Sequence, residues 1–186
     1  PDWPVALTID GVVVDEQLTG ADGCYTWDEL YPGEVYDVHE DLLPGWFNWT
    51  PTDVVFPQAE SGDSFSNTFV NSRYVDVTAC KVEDVDGDPA TDADRVAVPD
   101  WPVALTIDGV VVDEQLTGAD GCYTWDELDP GPVYDVHEDL LPGWFNWTPV
   151  DYVFPQSESG DSFSYTFINS RYVDVTACKV EDVDGD

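Results

Sequence analysis

The chain repeats itself with a period of 98 residues, and this repeat limits its fold more than any other feature. Residues 1–88 recur as 99–186. The two copies differ only at Tyr31/Asp129, Glu34/Pro132, Thr52/Val150, Val54/Tyr152, Ala59/Ser157, Asn67/Tyr165 and Val70/Ile168. A near-perfect repeat of this length sets the domain count at two. Each copy is long enough to bury a modest core, as immunoglobulin-sized sandwiches do.

The chain is strongly acidic, with 40 Asp and Glu residues against 5 Lys and Arg and a formal charge of −35. Such a field repels nucleic acid and anionic membranes, so the sequence predicts neither as a partner. An aromatic content of 13% and regular Val, Leu and Ile patterning argue against disorder. The self-repulsion requires screening salt or bound cations, which is consistent with a saline habitat.

The pattern of apolar residues predicts strands almost throughout. "PVALTIDGVVVDEQ" reads as two β-rich runs around Asp10-Gly11, a dipeptide typical of a type I′ hairpin turn. Further strands are predicted at 24–30, from Val35 to Glu40 and on both sides of Ser61-Gly62. "RYVDVTACKVED" alternates apolar and polar positions and places Lys81 on the apolar face. About seven short strands per copy predict an all-β sandwich.

The cysteines indicate an oxidising compartment. Cys24, Cys80, Cys122 and Cys178 give one pair per repeat, with no CxxC motif and only two histidines to support a zinc site. Disulfides are the better interpretation, and they favour an extracellular or cell-surface location. No stretch approaches the roughly 18 apolar residues of a membrane helix, so no membrane span is predicted in this segment.

Several motifs resemble a known family. "TGADGCYTW", "PGPVYDVHEDLLPGW" and "SGDSFSYTFINS" follow "KVEDVDGD" in the order seen in B-type repeat domains of collagen-adhesin and serine-aspartate-repeat adhesins. The resemblance spans about one full unit and implies tandem immunoglobulin-like, or prealbumin-like (transthyretin-like), β-sandwiches. Members of this family serve as rigid stalks and pilin modules.

The resemblance also implies a domain frame in which "RYVDVTACKVEDVDGD" is a first strand. Residues 73–170 would form a complete sandwich that includes the acidic loop 84–94. Residues 1–72 would lack their first strand, and 171–186 would be the first strand of the next unit. The chain is then either a window from a longer array, or its last segment is a donor strand for a neighbour. A missing strand would leave an open sheet edge.

The acidic loop "DVDGDPATDAD" is a candidate calcium site. Calcium binds six to eight oxygen ligands, and alternating aspartates around a glycine turn can direct several carboxylates to one point. The loop resembles an EF-hand only at its start, and the related adhesin repeats bind calcium in the equivalent loop. A solvated acidic linker is the alternative. The predicted ligands are Asp84, Asp86, Asp88, Asp92 and Asp94, with Asp182, Asp184 and Asp186 in the repeated segment.

The only two lysines, Lys81 and Lys179, occupy equivalent positions. A buried ammonium must be paired, neutralised or consumed. The resemblance implies an isopeptide bond between Lys81 and Asn169, assisted by Glu138. In the first copy, Asn71 and Glu40 would need a lysine from outside this chain, and Lys179 would be the reacting lysine of the following unit. A lysine on an edge strand paired with a surface carboxylate is the alternative, and it needs no chemistry.

In the frame of the resemblance, Cys80 and Cys122 belong to one domain and would bridge two strands. Cys24 and Cys178 would then pair with neighbouring units. The connectivities Cys24–Cys80 and Cys122–Cys178 stay open, because sequence alone does not fix disulfide pairing.

The tryptophans of "PGWFNWTP" support a different function. Exposed Trp49 and Trp147 could stack on sugar rings, whereas Trp27 and Trp46 are expected in the core. The sequons at Asn48 and Asn146 make a glycan a further candidate partner.

The sequence shows no arrangement typical of an enzyme. It predicts a non-catalytic stalk, adhesin shaft or extracellular filament, rigidified by calcium and covalently cross-linked, whose partners are identical repeats or subunits joined head to tail. A pair of carbohydrate-binding modules from a secreted enzyme is the alternative.

Overall fold

A computed structural model describes residues 1–181 of the chain, and it contains fifteen strands and no helix within that range. The described chain forms two compact units. Unit 1 comprises Pro1–Val75 with the short segments Glu127–Gly131 and Glu158–Asp161. Unit 2 comprises Asp76–Asp126, Pro132–Ser157 and the chain from Ser162 onward.

Unit 1 contains a four-stranded sheet and a separate strand pair. The strands are β1 (Pro4–Ile9), β2 (Val12–Leu18), β3 (Tyr36–Glu40), β4 (Trp46–Asn48), β5 (Asp53–Val55) and β6 (Asn71–Arg73). The sheet has the order β2-β1-β3-β5, and β4 pairs with β6. All of these pairings are antiparallel.

Unit 2 contains two sheets. The strands are β7 (Val75–Asp84), β8 (Arg95–Ala97), β9 (Pro102–Ile107), β10 (Val110–Leu116), β11 (Cys122–Leu128), β12 (Val133–Glu138), β13 (Trp144–Asn146), β14 (Asp151–Gln156) and β15 (Ser162–Arg171). One sheet has the order β10-β9-β12-β14. The other has the order β11-β7-β15-β13, with β8 added to β7. This architecture is the all-β, immunoglobulin-like class that the sequence predicts.

The hairpins between β1 and β2 and between β9 and β10 turn as the sequence predicts. Asp10 and Gly11 have φ angles of 52° and 73°, and Asp108 and Gly109 have 53° and 73°. Positive φ at both central residues defines a type I′ turn, whose twist matches that of the strands it joins.

Strand β7 is the centre of unit 2. It lies between β11 and β15, and its pairing with β15 is parallel. Its side chains alternate as the sequence predicts, because Val75, Val77, Ala79 and Lys81 are fully buried. The alternation ends after Lys81, and Asp84 is buried as well. Strands β11 and β15 therefore depend on β7 both for backbone hydrogen bonds and for core contacts.

Two strands predicted for the first copy are not formed. Residues 24–30 and 64–70 carry no strand, although their counterparts 122–128 and 162–168 are strands in unit 2. In unit 2 these two segments are the neighbours of β7. No described strand lies between the corresponding segments of unit 1, so neither has a backbone ladder to join. The prediction from local pattern was wrong here, because these strands require a tertiary partner.

Candidate functional site

The two sheets of unit 2 bring Lys81, Glu138 and Asn169 together in the core. The Lys81 Nζ atom lies 2.8 Å from Oε2 of Glu138, and both side chains are 0% exposed. The fully buried Asn169 donates from Nδ2 to the same oxygen at 3.2 Å. Lys81 and Asn169 come from the parallel neighbours β7 and β15, whereas Glu138 comes from β12 in the opposite sheet. The structure thus assembles the three side chains that the sequence singled out.

The polar groups of this cluster are incompletely satisfied. The contact between Lys81 and Glu138 is an ion pair by distance but does not have the geometry of a hydrogen bond. Oε1 of Glu138 and Oδ1 of Asn169 have no hydrogen-bond partner among the described residues. Buried polar groups without hydrogen-bond partners destabilise a fold, and native proteins contain few of them.

Burial lowers the pKa of Lys81 to about 8, although the adjacent carboxylate of Glu138 offsets part of that effect. About a tenth of such an amine is neutral at pH 7, far more than for an exposed lysine. The ring of Trp101 contributes to this environment, since its centre lies 4.5 Å from Nζ and the residue is buried. The sequence analysis did not select Trp101, because nothing in "PDWPV" links it to a lysine on another strand.

This arrangement can form an amide bond between side chains. A neutral Lys81 amine can attack the side-chain carbonyl carbon of Asn169. Glu138 touches both groups, so it can accept a proton from the amine and deliver it to the departing amide nitrogen. The products are one new C–N bond and one ammonia molecule.

Unit 1 contains only part of this cluster. Asn71 donates from Nδ2 to Oε2 of Glu40 at 2.8 Å. Glu40 is buried at 1% exposure, and its Oε1 has no hydrogen-bond partner among the described residues. The described part of unit 1 supplies no lysine. Lys179, the second lysine of the sequence, is exposed and has no strand around it.

The acidic loop brings three of its aspartates together. Carboxylate oxygens of Asp84, Asp86 and Asp94 all lie within 4.8 Å of one another. Asp84 is buried at 1% exposure, and its Oδ2 has no hydrogen-bond partner among the described residues. Hydrogen bonding lowers the pKa of Asp94, chiefly through the backbone N–H of Asp86, which favours its charged form. These features fit a divalent cation, which binds clustered carboxylate oxygens.

Other predicted ligands lie outside this cluster. Asp92 forms an ion pair with Arg95 at 2.6 Å, and Asp88 accepts a hydrogen bond from the backbone of Ala90 at 3.1 Å. The predicted ligands Asp182, Asp184 and Asp186 lie outside the described residues.

One disulfide is formed, between Cys80 on β7 and Cys122 at the start of β11. This is the pairing implied by the resemblance to the adhesin repeats, and it differs from the alternatives Cys24–Cys80 and Cys122–Cys178 that the sequence left open. Cys24 and Cys178 are free and exposed.

The candidate sugar-contacting residues are partly accessible in each unit. Trp49 is 53% exposed and Trp147 is 39% exposed. Each indole N–H donates to a serine of its own unit, Ser72 at 2.9 Å and Ser170 at 2.8 Å. Each ring also packs edge to face with a phenylalanine, Phe47 or Phe145, so only part of its surface is available to a ligand. Trp27 and Trp46 are half-buried.

No protein-family model and no curated protein matches the chain. Among solved structures, the Bacillus anthracis TIE protein is 15% identical with a TM-score of 0.44, over 91% of this chain and 31% of its own. The minor pilin of Streptococcus agalactiae is 11% identical with a TM-score of 0.39, over 96% and 87%. Two B repeat units of the collagen-binding protein of Staphylococcus aureus are 16% identical with a TM-score of 0.36, over 92% and 44%.

The matched structures include the B-type repeats that the sequence resembles. The chain spans less than half the length of the first and third of these proteins. No helix in the described part of the chain is long and apolar enough to cross a membrane.

Proposed function

We propose that this chain is a non-catalytic structural module of a secreted or cell-surface tandem-repeat protein, acting in a stalk, adhesin shaft or extracellular filament. The observation that carries the proposal is the buried cluster of Lys81, Glu138 and Asn169. An amide bond between Lys81 and Asn169 gives unit 2 a covalent link between its first and last strands. Identical repeats joined head to tail are the partners of such a module.

The direction of β7 and β15 supports a mechanical role. The two strands are parallel neighbours, so the start of β7 and the end of β15 lie at opposite ends of their shared ladder. Tension applied through these two ends shears the whole ladder and loads all of its hydrogen bonds together. A bond from Lys81 to Asn169 carries that tension along a covalent path and excludes the intervening chain from extension.

Single-molecule force spectroscopy tests this role. With handles at Arg73 and Arg171 of the full chain, we expect unit 2 to show no long unfolding step. Because the Cys80–Cys122 disulfide already closes the chain between those two cysteines, tension can extend only the 47 residues from Cys122 to Asn169, about 160 Å, and the amide bond keeps this length out of reach. An unfolding step of about that length in the native protein contradicts the proposed function. The variant Lys81→Met is the control that should produce the step.

Calcium is the cation that we propose for the cluster of Asp84, Asp86 and Asp94. Bound there, it would satisfy the orphaned carboxylate oxygen of Asp84 and rigidify the loop after β7. We expect calcium to raise the melting temperature of the chain and a chelator to lower it. A ligand at a hundred times its dissociation constant stabilises by about 2.7 kcal/mol.

Matched variants separate a specific site from general charge screening. Asp84→Asn and Asp88→Asn each remove one negative charge, but only Asp84 belongs to the cluster. We expect Asp84→Asn to abolish most of the calcium effect and Asp88→Asn to retain it. Equal responses of the two variants, or a melting temperature that calcium does not change, argue against the site.

Sugar binding is a second candidate function, favoured by the exposed rings of Trp49 and Trp147. A carbohydrate-binding module should lose its affinity for an insoluble polysaccharide when both residues are changed to alanine. If the wild-type chain binds to none of a panel of insoluble polysaccharides, sugar binding is excluded as a candidate function.

A further inference from the structure

Identical core residues are buried to different extents in the two units. Phe154 and Phe167 of unit 2 are buried, whereas their counterparts Phe56 and Phe69 in unit 1 are only half-buried. Since the side chains are the same, the difference comes from what surrounds them. The apolar face of unit 1 is open where unit 2 is filled.

Strand β7 contributes to this difference, together with Tyr152 and Tyr165, which contact Phe154 and Phe167 and are replaced by Val54 and Asn67 in the first copy. Residues 24–30 and 122–128 share the sequence "CYTWDEL", yet only the second copy is a strand. In unit 2, β7 is hydrogen-bonded to β11 on one side and to β15 on the other. Without a strand in this position, both flanking segments of unit 1 lose their backbone partners. The described part of unit 1 therefore has a vacant position for one central strand.

The polar groups around this position specify what the strand should carry. No cation among the described residues pairs with the buried carboxylate of Glu40, which occupies the position at which Glu138 meets Lys81 in unit 2. A buried carboxylate with no countercharge is strongly destabilising, so a lysine on the incoming strand is favoured. Cys24 is a free, exposed thiol at the position where Cys122 bonds to Cys80. The vacant position thus fits a strand with adjacent cysteine and lysine residues.

The segment 171–181 meets both requirements. It repeats 73–83 residue for residue, so that Cys178 and Lys179 correspond to Cys80 and Lys81. It carries no strand beyond Arg171, and its valines are exposed. Val173 and Val175 are 87% and 91% exposed, whereas their counterparts in β7 are fully buried. An apolar face of this kind in water favours association with a complementary sheet edge.

We propose that unit 1 accepts residues 172–181 of a second copy of this chain as its central strand. Disulfide formation between Cys24 and the incoming Cys178 then locks the junction. Both thiols lose their protons, and two electrons pass to a disulfide oxidant such as oxidised glutathione, which leaves as two thiols. Lys179 comes to lie beside Glu40. The proposal deepens the proposed function, on which it rests, by naming the partner and the means of joining.

Complementary cysteine variants test the junction in full-length chains. Cys24→Ser keeps only the donor thiol, and Cys178→Ser keeps only the acceptor thiol. After oxidation with oxidised glutathione, we expect each variant alone to stay monomeric on a non-reducing gel. Their mixture should give dimers and nothing larger, and the wild-type chain should give a ladder of multimers. Mass spectrometry of the dimer should find Cys24 linked to Cys178.

Variants of the donor strand distinguish strand insertion from chance encounter of two exposed thiols. In the Cys24→Ser donor, Val175→Asp places a charge on the face that should be buried, so we expect dimers to disappear. Asp174→Asn changes the adjacent, outward-facing position and should leave dimer formation intact. Dimers that persist with Val175→Asp overturn the proposal, as do dimers formed by either cysteine variant alone.

Two further outcomes are informative. An oxidised wild-type monomer with an internal Cys24–Cys178 bond would mean that residues 172–181 fill the vacant strand position of their own chain. That result overturns the choice of a second copy as the partner. The Lys81–Asn169 amide can be measured by mass in the same cysteine variants, because neither thiol belongs to that cluster. A junction without the amide, or an amide without the junction, therefore separates failure of this proposal from failure of the proposed function.

Discussion

The variant Glu138→Gln is expected not to form the amide bond between Lys81 and Asn169, and so not to lose the ammonia that this reaction releases in the wild-type chain. An amide bond between Lys81 and Asn169 removes about 17 Da, so the wild-type chain should weigh that much less than its sequence mass. Glutamine cannot accept the proton of the Lys81 amine, and the variant should weigh what its own sequence requires. Intact mass spectrometry under denaturing conditions measures the difference, and peptide mapping locates the linked pair.

The same variant is expected to be much less stable. The variant leaves the unreacted Lys81 amine buried without a carboxylate beside it, and an uncompensated buried charge destabilises by about 3–5 kcal/mol. Loss of a cross-link that closes 88 residues adds about 4–5 kcal/mol on the chain-entropy scale. For a domain of about 100 residues, each kcal/mol shifts the melting temperature by roughly 4–8 °C, so a fall of at least 20 °C is expected.

Glu40→Gln is the matched control for this prediction. It makes the same chemical change at the equivalent position of unit 1, where no described lysine lies near the carboxylate. The loss of ammonia at Lys81 and Asn169 should persist in this variant, and the melting of unit 2 should not change. A wild-type chain at its full sequence mass contradicts the amide bond. In that case Lys81 and Glu138 are a buried ion pair without covalent chemistry.

The sequence was most informative where local pattern and tertiary structure agree. The type I′ turn at Asp10-Gly11 depends on the conformational freedom of two adjacent residues and could be predicted from them alone. The burial of Lys81 followed from the alternation of β7. The resemblance to adhesin repeats supplied its partners Glu138 and Asn169, which lie far apart in sequence and have no local signal of their own.

Local pattern was least informative where structure depends on a neighbour. Residues 24–30 have the same sequence as β11 but do not form a strand, since a strand is stabilised by the ladder that it joins. The acidic loop shows a similar limit. Five aspartates looked equivalent as ligands, yet the backbone turn brings Asp84, Asp86 and Asp94 together and leaves Asp92 with Arg95.

Removal of the disulfide is the second change with a large expected effect. In the double variant Cys80→Ser, Cys122→Ser, the 42-residue loop is no longer closed in the unfolded chain. The unfolded state gains conformational entropy, which lowers the stability by about 4 kcal/mol. We expect unit 2 to melt at a clearly lower temperature, as measured by calorimetry. Cys24→Ser is the control, because it removes a cysteine that is free and exposed and should leave unit 2 unchanged.

The disulfide and the amide bond should act almost independently, although they tie adjacent residues of β7. With the amide in place, Cys122 is already connected to β7 by two stretches of similar length, the 42 residues from Cys80 and the 47 residues to Asn169. Two such paths in parallel behave like a loop of about half the length, and loop-closure entropy depends only on the logarithm of length. The disulfide should therefore lose only about 0.5 kcal/mol of its effect when the amide is present. A double-mutant cycle that combines the cysteine variant with Glu138→Gln measures this coupling. A much larger value would mean that one bond is needed to form the other.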